Sequence, residues 1–136
     1  MRLQGCDPAS DRIELQPDGP GGTLSMGAIE QAIAEHGHRV ALVLLPGVQY
    51  RTGQVFDIRR IVELGHAAGC VVGFDLAHAA GNLPLALHED GPDFAVWCTY
   101  KYLNAGPGAV AGAFVHERHA HAYVPRFAGW CGHDKS

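Results

Sequence analysis

The sequence predicts an α/β protein built around a mostly parallel sheet. Apolar runs with the character of strands alternate with segments of helical spacing, and the order strand, helix, strand predicts a βαβ unit. The first of these runs is apolar throughout, which is typical of parallel strands covered on both faces. The 136 residues, of which 47% are hydrophobic and 18% charged, match the length and make-up of one soluble domain.

The chain is predicted to begin with an irregular lead-in over residues 1–23, which are rich in Asp, Pro and Gly, with at most a short strand at 12–15. Ser25 then predicts the N-cap of a surface helix that ends near the sequence "EHGHR". Residues 40–45 (VALVLL), closed by a Pro-Gly pair, predict the first strand.

Asp57 predicts the N-cap of a second helix with one apolar face, and residues 70–74 (CVVGF) predict the second strand. Residues 93–98 and 109–116 predict two more strands. Their connection is rich in glycine and too short for a crossover helix, so this last pair is expected to be antiparallel.

The predicted α/β core therefore spans residues 24–116, with a connecting tail at 117–136. Strands buried on both faces need more helical cover than two helices give. We expect the chain, residues 1–136, to be a fragment of a larger domain.

Composition narrows the classes of partner. A formal net charge of -4 without a basic run gives no electrostatic case for nucleic acid or an anionic membrane surface. No apolar segment follows the first residues, and no unbroken apolar stretch of about 18 residues occurs. The four cysteines form no C-x-x-C pair, which favours reduced thiols. A cytoplasmic protein with a small-molecule partner is expected.

Two charged residues each follow a strand-like run. Asp75 follows "CVVGF" and Lys101 comes shortly after "DFAVWC", so both are expected at the carboxyl edge of the sheet, where ligands of α/β proteins gather. A carboxylate there needs a cationic partner, and a pyridinium nitrogen is one candidate. With equal weight, Asp75 could cap a short helix at 76–81.

A lysine taken singly is most often a solvated surface charge. In a closed site, however, its amine can form a Schiff base with an aldehyde. An acid for a pyridinium nitrogen and a lysine for an aldehyde are the two protein groups that pyridoxal phosphate most needs. The pair Asp75 and Lys101 therefore matches the needs of pyridoxal 5'-phosphate.

Four segments carry a specific resemblance. "LLPGVQYRTGQ", "GFDLAHAAGNLPLALHEDGPDFAVWCTYKYLNAGPG", "AGAFVHERHA" and "RFAGWCGHDK" closely resemble the kynureninases, pyridoxal-phosphate enzymes of the aspartate-aminotransferase fold. The resemblance runs from about Val40 to Lys135, with the motifs in the same order. It implies that the chain is part of the mostly parallel sheet of the large domain of a fold-type-I pyridoxal-phosphate-dependent transferase.

The resemblance also implies a role for five residues. Asp75 would hold the pyridine nitrogen, His78 would lie beside the cofactor, and Lys101 would be the Schiff-base lysine. Tyr100 would contact the cofactor phosphate and transfer a proton, and Trp130 in "GWCGH" would be a further cofactor contact. Lys101, Tyr100 and Asp75 are the expected catalytic residues.

The activity that the resemblance implies is hydrolysis of L-kynurenine, or 3-hydroxykynurenine, to anthranilate, or 3-hydroxyanthranilate, and L-alanine. This reaction belongs to tryptophan catabolism through the kynurenine pathway and to NAD biosynthesis. The full-length form is expected to be a homodimer. Relatives supply a phosphate-binding turn and a substrate-binding arginine from other segments, so the fragment alone is expected to be inactive.

The sequence departs from the family at two positions of "PGVQYRTGQ". Pro46 stands where some relatives have a serine that contacts the cofactor, and Arg51 stands where many have an aromatic residue. A cysteine desulfurase or a selenocysteine lyase is an alternative with the same fold. Those families usually carry a histidine directly before the lysine, where this chain has Tyr100.

A different class of protein is suggested by "HERHAH". Three imidazoles, those of His116, His119 and His121, can make a zinc site. A non-catalytic, histidine-rich metal-binding module is therefore the second alternative.

Overall fold

Four strands form one sheet in the computed structural model, which describes residue 7 and residues 9–122. The strands are β1 (Leu42–Pro46), β2 (Val71–Asp75), β3 (Phe94–Trp97) and β4 (Gly112–Val115), and they lie side by side in that order. β1 and β3 flank β2 in parallel, while β4 pairs with β3 in the antiparallel direction. The mostly parallel sheet and its antiparallel last pair are confirmed.

Two helices flank the sheet in the order expected. α1 (Met26–His36) begins at Ser25 and α2 (Ile58–Ala67) begins at Asp57, and each cap side chain accepts a hydrogen bond from a backbone N–H of the first turn. Both predicted caps are confirmed. The remaining helical segments are short: α3 (Leu87–Asp90) and 3-10 turns at Pro20–Gly22, Gly37–Arg39 and Glu117–His119.

None of the helices in the described part of the chain is long and apolar enough to cross a membrane.

The core lies on one face of the sheet. Val72, Phe74 and Ala95 share that face by strand register and are fully buried. They pack in one cluster with Ile29 of α1 and Ile61 of α2. Each large side chain buried in this way stabilises the fold by roughly 1.5–3 kcal/mol. Both helices therefore serve the same side of the sheet.

The opposite face of the sheet is open among the described residues. Its most exposed apolar side chains are 44% to 64% exposed, and they are Leu42, Leu44, Val71, Val96 and Val115. The prediction that the strands are covered on both faces is therefore wrong for this part of the chain. The physical reason is that α1 and α2 both pack against the other face.

Three local segments differ from the sequence prediction. Residues 12–15 form no strand, and Ile13 stays 43% exposed, so this run gains little of the burial that stabilises a strand. The predicted first strand at 40–45 forms two residues later, at Leu42–Pro46. Residues 77–82 form turns where a short helix was one alternative.

Candidate active site

The connection that follows β1 forms a small hairpin at the carboxyl edge of the sheet. Val48 and Val55 make an antiparallel bridge, and the N–H of Gln49 donates to the carbonyl of Gln54 at 2.8 Å. Tyr50 lies at the tip of this hairpin. The bridge and the hydrogen bond thus hold the hairpin in place beside the end of β1.

Asp75 lies at the end of β2, with its side chain on the open face of the sheet. Its register neighbours are Pro46 on β1 and Val96 on β3. The carboxylate accepts one hydrogen bond, at 2.9 Å, from the N–H of Ala77. No second hydrogen bond reaches it from the residues described, and it is exposed. Most of its acceptor capacity is left for a ligand.

Lys101 lies in the glycine-rich loop between β3 and β4. The loop is closed at its base, because the Thr99 hydroxyl donates to the carbonyl of Val110 at 2.6 Å and the N–H of Ala105 donates to the carbonyl of Thr99 at 3.0 Å. These bonds fix the point from which the half-buried lysine side chain leaves the sheet.

The Lys101 amine lies 3.1 Å from Nε2 of His78. An ammonium group can only donate, so with a charged lysine Nε2 is the acceptor and the imidazole proton resides on Nδ1. His78 comes from the turn that follows β2. One hydrogen bond therefore ties the connection after β2 to the connection after β3.

Backbone packing sets the distance between these two connections. Gly81 has φ +79°, and a Cβ there would lie 2.9 Å from Cδ2 of Leu103 and 3.0 Å from the carbonyl group of Tyr102. Glycine alone fits at that position without strain. The turn that carries His78 can therefore lie directly on the loop that carries Lys101.

Two tyrosines flank the His78 imidazole. The Tyr50 ring centre lies 6.3 Å from that of His78 at a tilt of 37°, and Tyr102 meets His78 edge-on at 6.0 Å. Sequence analysis missed both residues. Their signal is position: each lies in a connection that leaves the carboxyl edge, the same criterion that selected Asp75 and Lys101.

A cleft of about 440 Å³ lies at this edge of the sheet. Asp75, His78 and Lys101 line it together, with Tyr50 on the hairpin side. Three of the five predicted site residues are thus brought to one place. Tyr100 is 53% exposed and does not line the cleft, although its ring centre lies 5.8 Å from the Lys101 amine. The fifth residue, Trp130, lies outside the described residues.

The predicted zinc site is not formed. His116 faces the carbonyl of His88 at 3.3 Å, while His119 contacts the Asp93 carboxylate at 2.7 Å, and neither contact involves His121. Within residues 7 and 9–122, no three His, Cys, Asp or Glu side chains converge on a point where they could hold a metal ion. The alternative of a histidine-rich metal-binding module is wrong for these residues, because His116 and His119 contact different partners and do not converge.

The two cysteines that the structure describes, Cys70 and Cys98, are free. Cys70 is buried beside the carbonyl of Gly37, and burial raises the pKa of its thiol. Its behaviour is that of a packed, reduced side chain, as the sequence predicted.

Comparison with known proteins gives the class first. A family model described as aminotransferase class-V matches residues 9–127 of the 136, so the chain belongs to the aminotransferase class-V family. The predicted fold class, part of the mostly parallel sheet of a fold-type-I pyridoxal-phosphate enzyme, is confirmed.

The more specific likeness is to kynureninases. Kynureninase from Xanthomonas oryzae pv. oryzae (strain PXO99A) is 66% identical over 135 residues, which cover 99% of this chain and 32% of that protein. Kynureninase from Xanthomonas campestris pv. campestris (strain B100) is 64% identical with the same coverage. The resemblance seen in the motifs is confirmed. The chain spans about a third of the length of these relatives.

Solved structures share the fold. Alanine–glyoxylate aminotransferase from Nostoc sp. superposes with a TM-score of 0.61 at 25% identity, over 71% of this chain and 25% of that chain. Cysteine desulfurase from Thermococcus onnurineus NA1 gives a TM-score of 0.66 at 18% identity, over 79% of this chain and 26% of that chain. The likeness to the desulfurase shows the fold alone.

Proposed function

We propose that the chain is part of the cofactor-binding large domain of a kynureninase, and that the intact protein hydrolyses L-kynurenine or 3-hydroxykynurenine to anthranilate or 3-hydroxyanthranilate and L-alanine. The observation that carries the proposal is the meeting of Asp75, His78 and Lys101 in one cleft. The identity of 66% with a kynureninase supports the choice of reaction. A homodimeric, cytoplasmic enzyme of tryptophan catabolism and NAD biosynthesis is the corresponding proposal for the intact protein.

The cleft fits pyridoxal 5'-phosphate, on which class-V aminotransferases and kynureninases depend. A carboxylate with free acceptor capacity suits the protonated nitrogen of a pyridine ring. Among the described residues, the Asp75 carboxylate accepts a hydrogen bond only from the N–H of Ala77. An amine for the aldehyde is present in Lys101. A cleft of about 440 Å³ has room for a ring of that size.

When bound, the cofactor supplies a ring that accepts electrons from the substrate carbon undergoing reaction. Asp75 would keep the proton on the ring nitrogen. Lys101 would hold the aldehyde carbon and, once displaced by the substrate amine, take the proton from the substrate Cα. His78 would orient the lysine amine through the 3.1 Å contact at Nε2.

Tyr100 and Trp130 complete the proposed set. Tyr100 adjoins Lys101, and its exposed hydroxyl would reach the cofactor phosphate and exchange a proton late in the reaction. Trp130 would be a further cofactor contact. Both assignments rest on the resemblance to kynureninases.

Reductive trapping tests the proposal. The chain is mixed with pyridoxal 5'-phosphate, reduced with borohydride, digested and mapped by mass spectrometry. Only two lysines are present, Lys101 and Lys135, so Lys135 serves as an internal control for unselective reaction. We expect the pyridoxyl adduct on Lys101 in large excess and no such adduct in Lys101→Ala.

Equal modification of both lysines, or none at Lys101, would contradict the cofactor site. Once the adduct is found, the intact protein is assayed for anthranilate release from kynurenine. An intact protein that captures the cofactor on Lys101 but releases no anthranilate or hydroxyanthranilate would refute the kynureninase reaction and keep the cofactor assignment.

A further inference from the structure

One wall of the cleft is an aromatic ring that the proposed roles leave unused. Tyr50 is 71% exposed, yet it lines the cleft together with Asp75 and Lys101. We propose that Tyr50 is a specificity-determining residue, whose ring provides a stacking surface for an aryl group carried by the ligand. The inference rests on the proposed function and names the residue that contacts the aromatic part of the substrate.

The position of Tyr50 is fixed by its hairpin. The side-chain amide of Gln54 accepts a hydrogen bond from the N–H of Leu24 at 2.9 Å and donates to the carbonyl of Leu24 at 2.6 Å. At the base of the hairpin, the N–H of Phe56 donates to the carbonyl of Gly47 at 3.0 Å. Hydrogen bonds therefore hold the backbone that carries the ring, so a ligand that stacks on the ring orders little additional backbone.

The same imidazole connects Tyr50 with the reacting group. His78 is tilted by 37° to the Tyr50 ring at 6.3 Å, and it contacts the Lys101 amine at 3.1 Å. Tyr102 meets the same imidazole edge-on at 6.0 Å. A ligand whose reacting carbon lies at Lys101 thus directs a substituent past His78 to the hairpin, where Tyr50 provides the aromatic surface.

The chemistry of this surface selects an aromatic group over a saturated one. Offset-stacked and edge-to-face rings with centres about 4.5–7 Å apart gain roughly 0.5–1.5 kcal/mol beyond the burial of their area. A saturated ring of the same size gains only the burial. The neighbouring Arg51 is exposed at the same hairpin tip and does not line the cleft, so it provides a matched control.

The test measures binding of two neutral ketones to the 136-residue chain by calorimetry, without cofactor. The probes are acetophenone, an aryl ketone, and cyclohexyl methyl ketone, its saturated counterpart. Tyr50→Ala is expected to weaken binding of the aryl ketone by about twofold to tenfold more than that of the saturated ketone. Tyr50→Phe and Arg51→Ala are expected to bind both probes as the wild type does.

Equal losses for both ketones in Tyr50→Ala would mean that the ring is only an apolar cover, and would overturn the inference. A loss in Tyr50→Phe as large as that in Tyr50→Ala would overturn it as well, because the hydroxyl would then be responsible. So would the absence of saturable aryl ketone binding by the wild type. Urea unfolding of each variant verifies that the fold is retained.

The two proposals can fail separately. Ring-dependent binding without trapping at Lys101 would leave the aromatic subsite and remove the cofactor site. Trapping at Lys101 with binding that does not depend on the Tyr50 ring would leave the cofactor site and remove the aromatic subsite.

Discussion

Two aspartates at opposite edges of one sheet have opposite surroundings. Asp93, just before β3, is 6% exposed and accepts hydrogen bonds from the N–H of Val72 at 2.7 Å, from His66 at 2.8 Å and from His119 at 2.7 Å. Asp75, at the end of β2, is exposed and accepts a single hydrogen bond within the described chain. The same carboxyl group is satisfied by the protein at one edge and left available at the other.

The difference separates a structural aspartate from one for which we propose a binding role. Burial acts to raise the pKa of Asp93, but the hydrogen bonds from Val72, His66 and His119 outweigh it and hold that pKa below its ordinary range. The charged form of Asp93 thus links the start of β2, the end of α2 and the turn after β4. Asp75 has no such set of partners among the described residues, and a cationic ligand would complete it.

The largest effect is expected from removal of the Asp93 carboxylate. Asp93→Ala leaves the Val72 N–H without its acceptor and two histidines without their shared partner. The free energy of unfolding should fall by about 3 kcal/mol or more, as for other broken buried charge networks. Urea denaturation followed by circular dichroism measures it.

The matched variant is Asp75→Ala, for which we expect a change within about 0.5 kcal/mol, as for exposed positions. If Asp93→Ala and Asp75→Ala lost similar amounts of unfolding free energy, the distinction between the two edges of the sheet would be wrong.

A smaller effect is expected where the two site connections pack together. Gly81→Ala forces a side chain into φ +79° and against Leu103 and Tyr102, whereas Gly53→Ala meets only the backbone strain of φ +72° with nothing within 4 Å. We expect a loss of about 2 kcal/mol for Gly81→Ala and about 1 kcal/mol for Gly53→Ala.

Only Gly81→Ala should also slow reductive trapping at Lys101, because only that methyl group pushes on the lysine loop. Equal trapping rates in the two variants would show that this packing does not set the position of Lys101.

The smallest effect is expected in the pH dependence of stability. In the folded protein the pKa of Asp93 lies below its ordinary value of 3.8, so in the pH window between these two pKa values the unfolded chain binds more protons. The stabilisation by Asp93 is therefore fully present above the ordinary pKa and is lost as the pH falls through the folded pKa.

Urea midpoints measured from about pH 6 down to about pH 3, a range that spans the ordinary pKa of an aspartate, should fall less steeply for Asp93→Asn than for the wild type. His66, His119 and Arg118 face Asp93 and remain unchanged in this variant. Asp18 is the control: its pKa is also lowered, by hydrogen bonds from Ser25, but it is exposed at the α1 cap. Asp18→Asn should change the slope less, and the reverse order would contradict the role of Asp93.

Much of the fold could be predicted from the sequence, because strand and helix signals are local. Apolar runs and cap residues such as Ser25 and Asp57 placed every main element within a few residues. The shortage of helical cover could be predicted, but which face of the sheet stays open could not. A continuous apolar run specifies that both sides avoid water, while the element that covers each side is set by tertiary packing.

The site was predictable where position and chemistry coincide. Asp75 and Lys101 combine a charged group with a strand end, so topology alone brings them to one edge. Tyr50 and Tyr102 also follow the carboxyl edge, but they carry no charged group, and only the structure places their rings beside His78. Asp93 was missed because the sequence assigned it to the first position of a strand, and its partners His66 and His119 are distant in sequence.

We infer that the carboxyl edge of the sheet, where Asp75 lies, binds the cofactor, and that the opposite edge, where Asp93 lies, stabilises the fold. The most direct test is reductive trapping at Lys101 as a function of pyridoxal 5'-phosphate concentration, in the wild type and in Asp75→Asn, with the unfolding free energy of both measured alongside. We expect Asp75→Asn to need about tenfold or more cofactor for half-maximal trapping, as for loss of a charged hydrogen bond, with stability unchanged. Unchanged trapping in a folded Asp75→Asn would contradict the claim.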